Sequence, residues 1–145
     1  MKLTVVIDKD REEEIVLYLH EHTELENRIS HIVKSERFEL VGYLDREIVK
    51  LSASEVSRFF TESGRTLASV AGKLYRVDHR IYELEDALGD GFVKINQSCI
   101  ANISKIERFD ASLAGSLLVV FKDGGRDYVS RRQLKVVKER IGFKL

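Results

Sequence analysis

The sequence predicts a mainly β protein with a small N-terminal α/β segment that contains one amphipathic helix. Two observations predict it. Short runs rich in Val, Ile, Phe and Tyr recur after residue 38, separated by turn signals such as Ser63-Gly64, Ala71-Gly72 and Lys122-Asp123-Gly124-Gly125. One stretch near the start instead repeats apolar residues every three or four positions.

Taken in order, residues 2–7 read as a strand rich in β-branched side chains. Residues 10–33 read as a helix. Glu12, Glu13 and Glu14 stand near its start, where the helix dipole favours acids, and Ile15, Tyr18, Leu19, His22, Leu25, Ile29, Ile32 and Val33 form its apolar stripe. His22 on that stripe is expected to pack in a core or an interface. Residues 38–44 and 47–51 read as strands around an Asp45-Arg46 turn, closing a small β-α-β unit with the helix. A division into 1–48, a small α/β segment, and 49–145, a β-rich domain, follows from composition alone.

Strands are then expected at 55–61, 66–71 and 73–77. Asp78 can cap a helix with Ile81, Leu84 and Leu88 on one face, stopped by Gly89. Residues 92–106 alternate large apolar and small polar side chains. Strands at 106–109, 116–121 and 127–129 follow, and a last helix at 131–141 turns Leu134, Val137 and Ile141 inward before Gly142.

Composition removes several classes of function. No apolar run approaches the ~20 residues of a membrane helix, and the N-terminal run is too short for a signal-peptide core. The single cysteine, Cys99, rules out an internal disulfide and suits a reducing cytoplasm; it reads as a small buried residue. His20, His22, His31 and His79 lack metal-gathering spacing. No Gly-rich phosphate loop occurs, and Glu83, Glu85 and Asp86 read as a solvated helix face. Asn96-Gln97-Ser98 and Asn102-Ile103-Ser104 match the glycosylation sequon only incidentally. No enzyme, metal or cofactor is expected.

The formal net charge is zero but unevenly spread. Residues 1–50 hold 8 Lys/Arg against 12 Asp/Glu, whereas residues 92–145 hold 11 against 5. A polyanion would therefore meet the C-terminal part. Two polar clusters lie there. Lys94, Asn96, Gln97 and Ser98 sit among the anchors Val93, Ile95, Ile100 and Ile103; amides read base edges, and Lys and Ser hold phosphates. Ser130, Arg131 and Arg132 open the last helix, where free N–H groups also favour an anion. On chemistry alone two readings fit: a nucleic-acid grip, or a polar loop whose Asn and Ser cap turns.

Phe92-Val93-Lys94-Ile95-Asn96-Gln97-Ser98, then Ile100-Ala101-Asn102 and Ile106, then Asp123-Gly124 and Val129-Ser130-Arg131-Arg132, preceded by residues 82–88, together resemble the LytTR family of bacterial DNA-binding domains. The resemblance runs from about residue 50 to 141. It implies small sheets packed at steep angles with short flanking helices, and loops inserted into successive major grooves, usually at paired direct repeats. It implies DNA contacts from Lys94, Asn96, Gln97 and Ser98, from Ser130, Arg131 and Arg132, and from the start of an earlier strand near Arg65. Many family members carry Arg where this chain has Lys94 and a basic residue where it has Gln97. Lys94 then suits phosphate holding and Gln97 adenine reading. Asn102 matches a structural Asn of the family.

The N-terminal segment lacks the pattern of a phosphorylated receiver domain. It resembles the short lead of stand-alone regulators of this family, which dimerise through the helix and are often paired with a small membrane protein. The expectation is thus a cytoplasmic, homodimeric regulator of transcription on double-stranded DNA, with no small-molecule substrate. The alternatives are a single-stranded nucleic-acid binder stacking bases on Phe92 and Tyr128, and a protein-interaction module working through the N-terminal helix.

Overall fold

The computed structural model describes residues 1–36, 38–112 and 115–144, without the side chains of His31, Lys34, Ser35 and Glu36. Ten strands and three helices are described: α1 (Glu24–Glu36), β1 (Leu40–Leu44), β2 (Glu47–Leu51), β3 (Val56–Glu62), β4 (Arg65–Val70), β5 (Lys73–Val77), α2 (Ile81–Leu88), β6 (Phe92–Asn96), β7 (Cys99–Asn102), β8 (Ile106–Asp110), β9 (Leu117–Phe121), β10 (Arg126–Val129) and α3 (Arg131–Ile141). The fold is mainly β with flanking helices, as the sequence predicts.

The strands form a seven-stranded sheet in the order β2-β1-β5-β4-β3-β7-β6 and a three-stranded sheet in the order β10-β9-β8. Every pairing is antiparallel. Tight turns account for this. Ser63 and Gly64 both adopt positive φ (51° and 76°), as do Ala71 and Gly72 (49° and 81°). Two successive left-handed residues give the turn whose twist matches a hairpin's. The β1–β2 hairpin belongs to the large sheet through β5, where Gly42 faces Val77. A Cβ at Gly42 would lie 2.6 Å from Leu51 Cδ1 and 2.9 Å from Tyr75 Cβ, so only glycine allows this approach. The 48/49 division falls within β2.

Alternation along β6 and β7 serves two cores. Ile100 joins Leu40, Val56, Phe59, Leu84 and Leu88 beneath α2. Val93, Ile95, Cys99 and Ala101 face the other way, onto Val119, Phe121, Val129 and Val137, so the small sheet and α3 pack there. Such two-sided burial makes β6–β7 the wall between both cores. The anchors Val93, Ile95 and Ile100 are buried and Ile103 packs on the second core, as the sequence predicts.

The N-terminus departs from expectation. Residues 2–7 form no strand: they pair with no edge of either sheet, and their side chains are exposed. Residues 10–23 are not helical; the helix starts at Glu24. Ile15, Val16, Leu17 and Tyr18 form a continuous apolar run with no helical face to favour, and Ile and Val are weak helix formers. The effective start signal is Thr23, whose Oγ1 accepts the Glu26 N–H at 3.4 Å, while the Glu26 carboxylate turns to His22. His22 is not packed. Its side chain is 98% exposed and lies 2.8 Å from Glu26 Oε2. Asp78 does not cap α2, whose N-cap is Arg80; it pairs with Arg76 instead.

Candidate nucleic-acid interface

Three loops distant in sequence meet along one rim. The β6–β7 turn carries Asn96, Gln97 and Ser98. The Ser98 carbonyl accepts the Thr61 N–H at 2.9 Å, which sets the turn beside the β3–β4 hairpin whose far strand begins with Arg65. The Ile95 carbonyl accepts the Ser130 N–H at 2.9 Å, which sets the same turn beside the start of α3. Two backbone hydrogen bonds thus gather Arg65, Gln97, Ser98, Ser130, Arg131 and Arg132. Arg65, Gln97, Ser98, Arg131 and Arg132 are exposed, and Ser130 is half-buried.

Two predicted residues stand differently. Lys94 is half-buried on the face of β6 toward α2, with its Nζ 3.6 Å from Glu85 Oε2. Asn96 is 2% exposed and its amide is fully engaged. Its Oδ1 accepts the Ser98 N–H at 2.9 Å, and its Nδ2 donates to Asp127 Oδ1 at 2.9 Å and to the Tyr128 carbonyl at 2.8 Å. No lone amide hydrogen is left to reach a base. Asn102 repeats the arrangement at the other end of β7: Oδ1 accepts the Ser104 N–H at 3.1 Å, and Nδ2 donates to the Val56 and Ser54 carbonyls at 2.8 and 3.2 Å. Asn102 is therefore structural, as the resemblance implies.

The start of α3 is electrostatically unusual. Ser130 is its N-cap with extended backbone, yet its side chain makes no capping bond, and no acid occupies the first turn. Arg131 and Arg132 instead place two cations where the helix dipole is already positive. That arrangement opposes helix stability by about 0.3–1 kcal/mol per charge and attracts an anion.

Beneath the rim lies a polar network that sequence reasoning missed. Asp127 Oδ2 accepts from Arg58 Nη1 at 2.9 Å, and Asp127 Oδ1 accepts from Asn96 and from the Tyr128 N–H. Arg58 also donates to the Arg126 carbonyl at 3.0 Å and lies 4.1 Å over the Phe60 ring. Asp127 therefore links β3, β6 and β10. The Cys99 thiol beside it is held well above its ordinary pKa by burial and by the Asp127 charge, so it stays protonated and unreactive.

At the β9–β10 turn, Asp123 accepts from Ser57 Oγ at 2.8 Å, Ser69 Oγ at 3.0 Å and the Gly125 N–H at 2.9 Å, pinning the small sheet to the large one. Burial pushes its carboxyl up. The Gly125 N–H, the two hydroxyls and the Arg58 guanidinium outweigh that and leave it below the ordinary carboxylate value. A depressed native pKa gives stability that is present above the unfolded value and lost as pH falls through the native one. Asp123→Asn is thus expected to destabilise at pH 7, with the gap to wild type closing once pH drops below about 4. Urea unfolding of both proteins at pH 7 and pH 3 checks this; a gap independent of pH would refute it.

Of the two aromatic side chains considered for stacking, Tyr128 is 55% exposed, whereas Phe92 packs against the first core with its ring centroid 6.0 Å from that of Phe59. Among the described residues no group of His, Cys, Asp and Glu could hold a metal ion, and no helix is long and apolar enough to cross a membrane.

Comparison with known proteins gives concordant results. The sequence profile of the LytTr DNA-binding domain matches residues 46–142. A Staphylococcus aureus (strain MSSA476) protein named as an uncharacterized HTH-type transcriptional regulator is 32% identical over 148 residues, covering 99% of each chain. Another from strain NCTC 8325, named alike, is 33% identical over 117 residues, covering 81% of this chain and 78% of that one. Among solved structures, a LytTr DNA-binding domain from Bacillus cereus superposes with a TM-score of 0.67 at 18% identity, over 72% of this chain and 97% of the other. The relatives' names invoke a helix-turn-helix. In this chain every pair of successive described helices is separated by five strands, so no such unit is formed by them.

Proposed function

The chain belongs to the LytTr DNA-binding domain family, and from that premise we propose that it is a regulator of transcription that binds double-stranded DNA in a sequence-specific way, inserting the Gln97-Ser98 turn and the start of α3 into the major groove. The observation that carries this is the convergence of three exposed polar loops on one rim, with Arg131 and Arg132 at a helix N-terminus whose first turn holds no acid. Gln97 reads adenine, and the two arginines take a guanine edge or phosphates. Arg65, Ser98 and Ser130 hold phosphates, and Lys94 does so from the flank once it parts from Glu85. Asn96 works indirectly, by holding the turn. Two copies act in the cytoplasm as a homodimer on paired direct repeats. The DNA-binding part includes the β1–β2 hairpin, because the large sheet incorporates it, and the segment before that hairpin serves dimerisation. The family is not an enzyme family, and the chemistry proposed is recognition alone.

Selection of bound sequences from a random duplex pool tests this. A paired motif with fixed spacing is expected. Binding should also weaken with salt: if each copy neutralises about 4–6 phosphates, log K falls against log salt with a slope of roughly −4 to −5. No enriched motif, or an affinity indifferent to salt, overturns the reading. A single-stranded binder would need successive stacking faces, and Tyr128 alone does not supply them.

A further inference from the structure

Nine of the fifteen exposed large apolar side chains among the described residues lie within the first eighteen positions: Met1, Leu3, Val5, Val6, Ile7, Ile15, Val16, Leu17 and Tyr18. They come as two runs on either side of a turn, where the Asp10 N–H donates to Asp8 Oδ1 at 3.0 Å and Arg11 pairs with Glu14 at 3.7 Å. Leu3, Val5 and Ile7 fall on one side of an extended chain, with Val6 on the other, so the first run has strand periodicity. Yet no strand of either sheet pairs with it, and among the described residues its main chain makes no hydrogen bond to the rest of the fold. Two short strands on their own are at best marginal in water, so the two runs do not satisfy each other, and exposed apolar patches beyond a few hundred Å² mark an interface.

We infer that residues 2–8 pair antiparallel with the same run of a second copy, about a two-fold axis at Val5. Three features choose this occupant. Pairing centred on Val5 sets Lys2 of one copy opposite Asp8 of the other and Leu3 opposite Ile7, so charge and apolar contacts are satisfied together by self-complementarity. The two runs of the arm together expose apolar surface on the order of 1,000 Å², which matches the about 800 Å² per partner of a standard interface once the second run packs against the paired first one. The charge excludes polyanionic occupants: residues 1–23 hold Lys2, Lys9 and Arg11 against Asp8, Asp10, Glu12, Glu13, Glu14 and Glu21, which repels DNA and anionic lipid alike. This deepens the dimer of the reading above and relies on none of its DNA contacts.

The test uses the full chain. Sedimentation equilibrium at micromolar concentration should give twice the 16.7 kDa chain mass. Val5→Asp, which opposes two carboxylates at the axis, should weaken the dimer at least about tenfold. Lys2→Asp should weaken it too, and Lys2→Asp combined with Asp8→Lys should restore it. Val5→Cys should give a covalent dimer on mild oxidation, since Cys99 is buried and does not compete. A monomeric wild type overturns the inference. So does a dimer indifferent to Val5→Asp with no cross-link at Val5→Cys, or arm amides protected from exchange in a monomer. Binding of Val5→Asp to a single half-site separates the two claims. Retained binding with a failed dimer test leaves the DNA reading standing, and lost DNA binding in a proven dimer does the reverse.

Discussion

Replacing Arg131 and Arg132 together with Glu is expected to abolish specific duplex binding while leaving the fold as stable as before, or more so. Each arginine should supply a charge-assisted contact of about 1.5–3 kcal/mol. Losing two, before counting repulsion from the new carboxylates, lowers affinity by roughly 100-fold to 10,000-fold. Stability should move the other way. Both side chains are exposed and neither has an intramolecular ion pair, so the substitution breaks nothing within the fold. It turns two cations at a positive helix end into two anions there, a gain on the order of 1 kcal/mol. A melting curve and a binding titration on the same protein check both halves. If the melting temperature falls along with the affinity, the arginines are structural and the rim is not the DNA site. Opposite signs for stability and binding are what a site shaped by its ligand predicts.

The C-terminal two thirds was legible because local chemistry and tertiary context agree there. Ser63-Gly64, Ala71-Gly72 and Asp123-Gly124-Gly125 turn where their backbone preferences say, and α3 spans Arg131–Ile141 with Val137 buried, as its periodicity predicts. The first 23 residues were misread for a physical reason. An apolar run that satisfies helical spacing also satisfies a strand, and residues 1–23 lie against neither sheet, which could have decided between the two. Thr23-x-x-Glu26 was present and would have placed the helix start correctly. The site shows the same division. Its three segments could be named from the sequence. Which side chains face outward could not, because Asn96 and Gln97 differ in role by one position of pleat. The two Asn-x-Ser matches, at Asn96 and Asn102, carried a usable signal after all. Both are side-chain-capped turns in which Oδ1 accepts the N–H two residues on. The Arg58–Asp127 pair left no sequence trace, since 69 positions separate its members.

That pair is where the largest loss of stability is expected. Arg58 and Asp127 side chains are only 15% and 17% exposed, and Arg58 Nε has no partner even with the pair intact. Asp127→Ala leaves the guanidinium enclosed between the Phe60 and Phe121 rings without a counter-charge, and leaves Asn96 Nδ2 with the Tyr128 carbonyl alone. Removing one member of a buried pair costs about 3–5 kcal/mol, a large share of the roughly 5–15 kcal/mol that holds a domain of this size. Asp127→Asn keeps an acceptor for Arg58 and should lose less. Combining Asp127→Ala with Arg58→Met removes the stranded charge and should recover part of the loss, giving a coupling in a double-mutant cycle that two independent sites would not show. The effect on DNA follows from geometry. Asp127 holds Asn96, and Asn96 holds the turn that presents Gln97 and Ser98. The milder Asp127→Asn protein, still folded at 25 °C, should therefore bind all operator variants more weakly, without relaxing discrimination at any one base pair. Urea unfolding and binding to a panel of single-base variants measure the two effects. A loss under about 1 kcal/mol, or discrimination relaxed at one position only, would mean that Asp127 is a surface ion pair or a reader in its own right, and that the turn is held by something else.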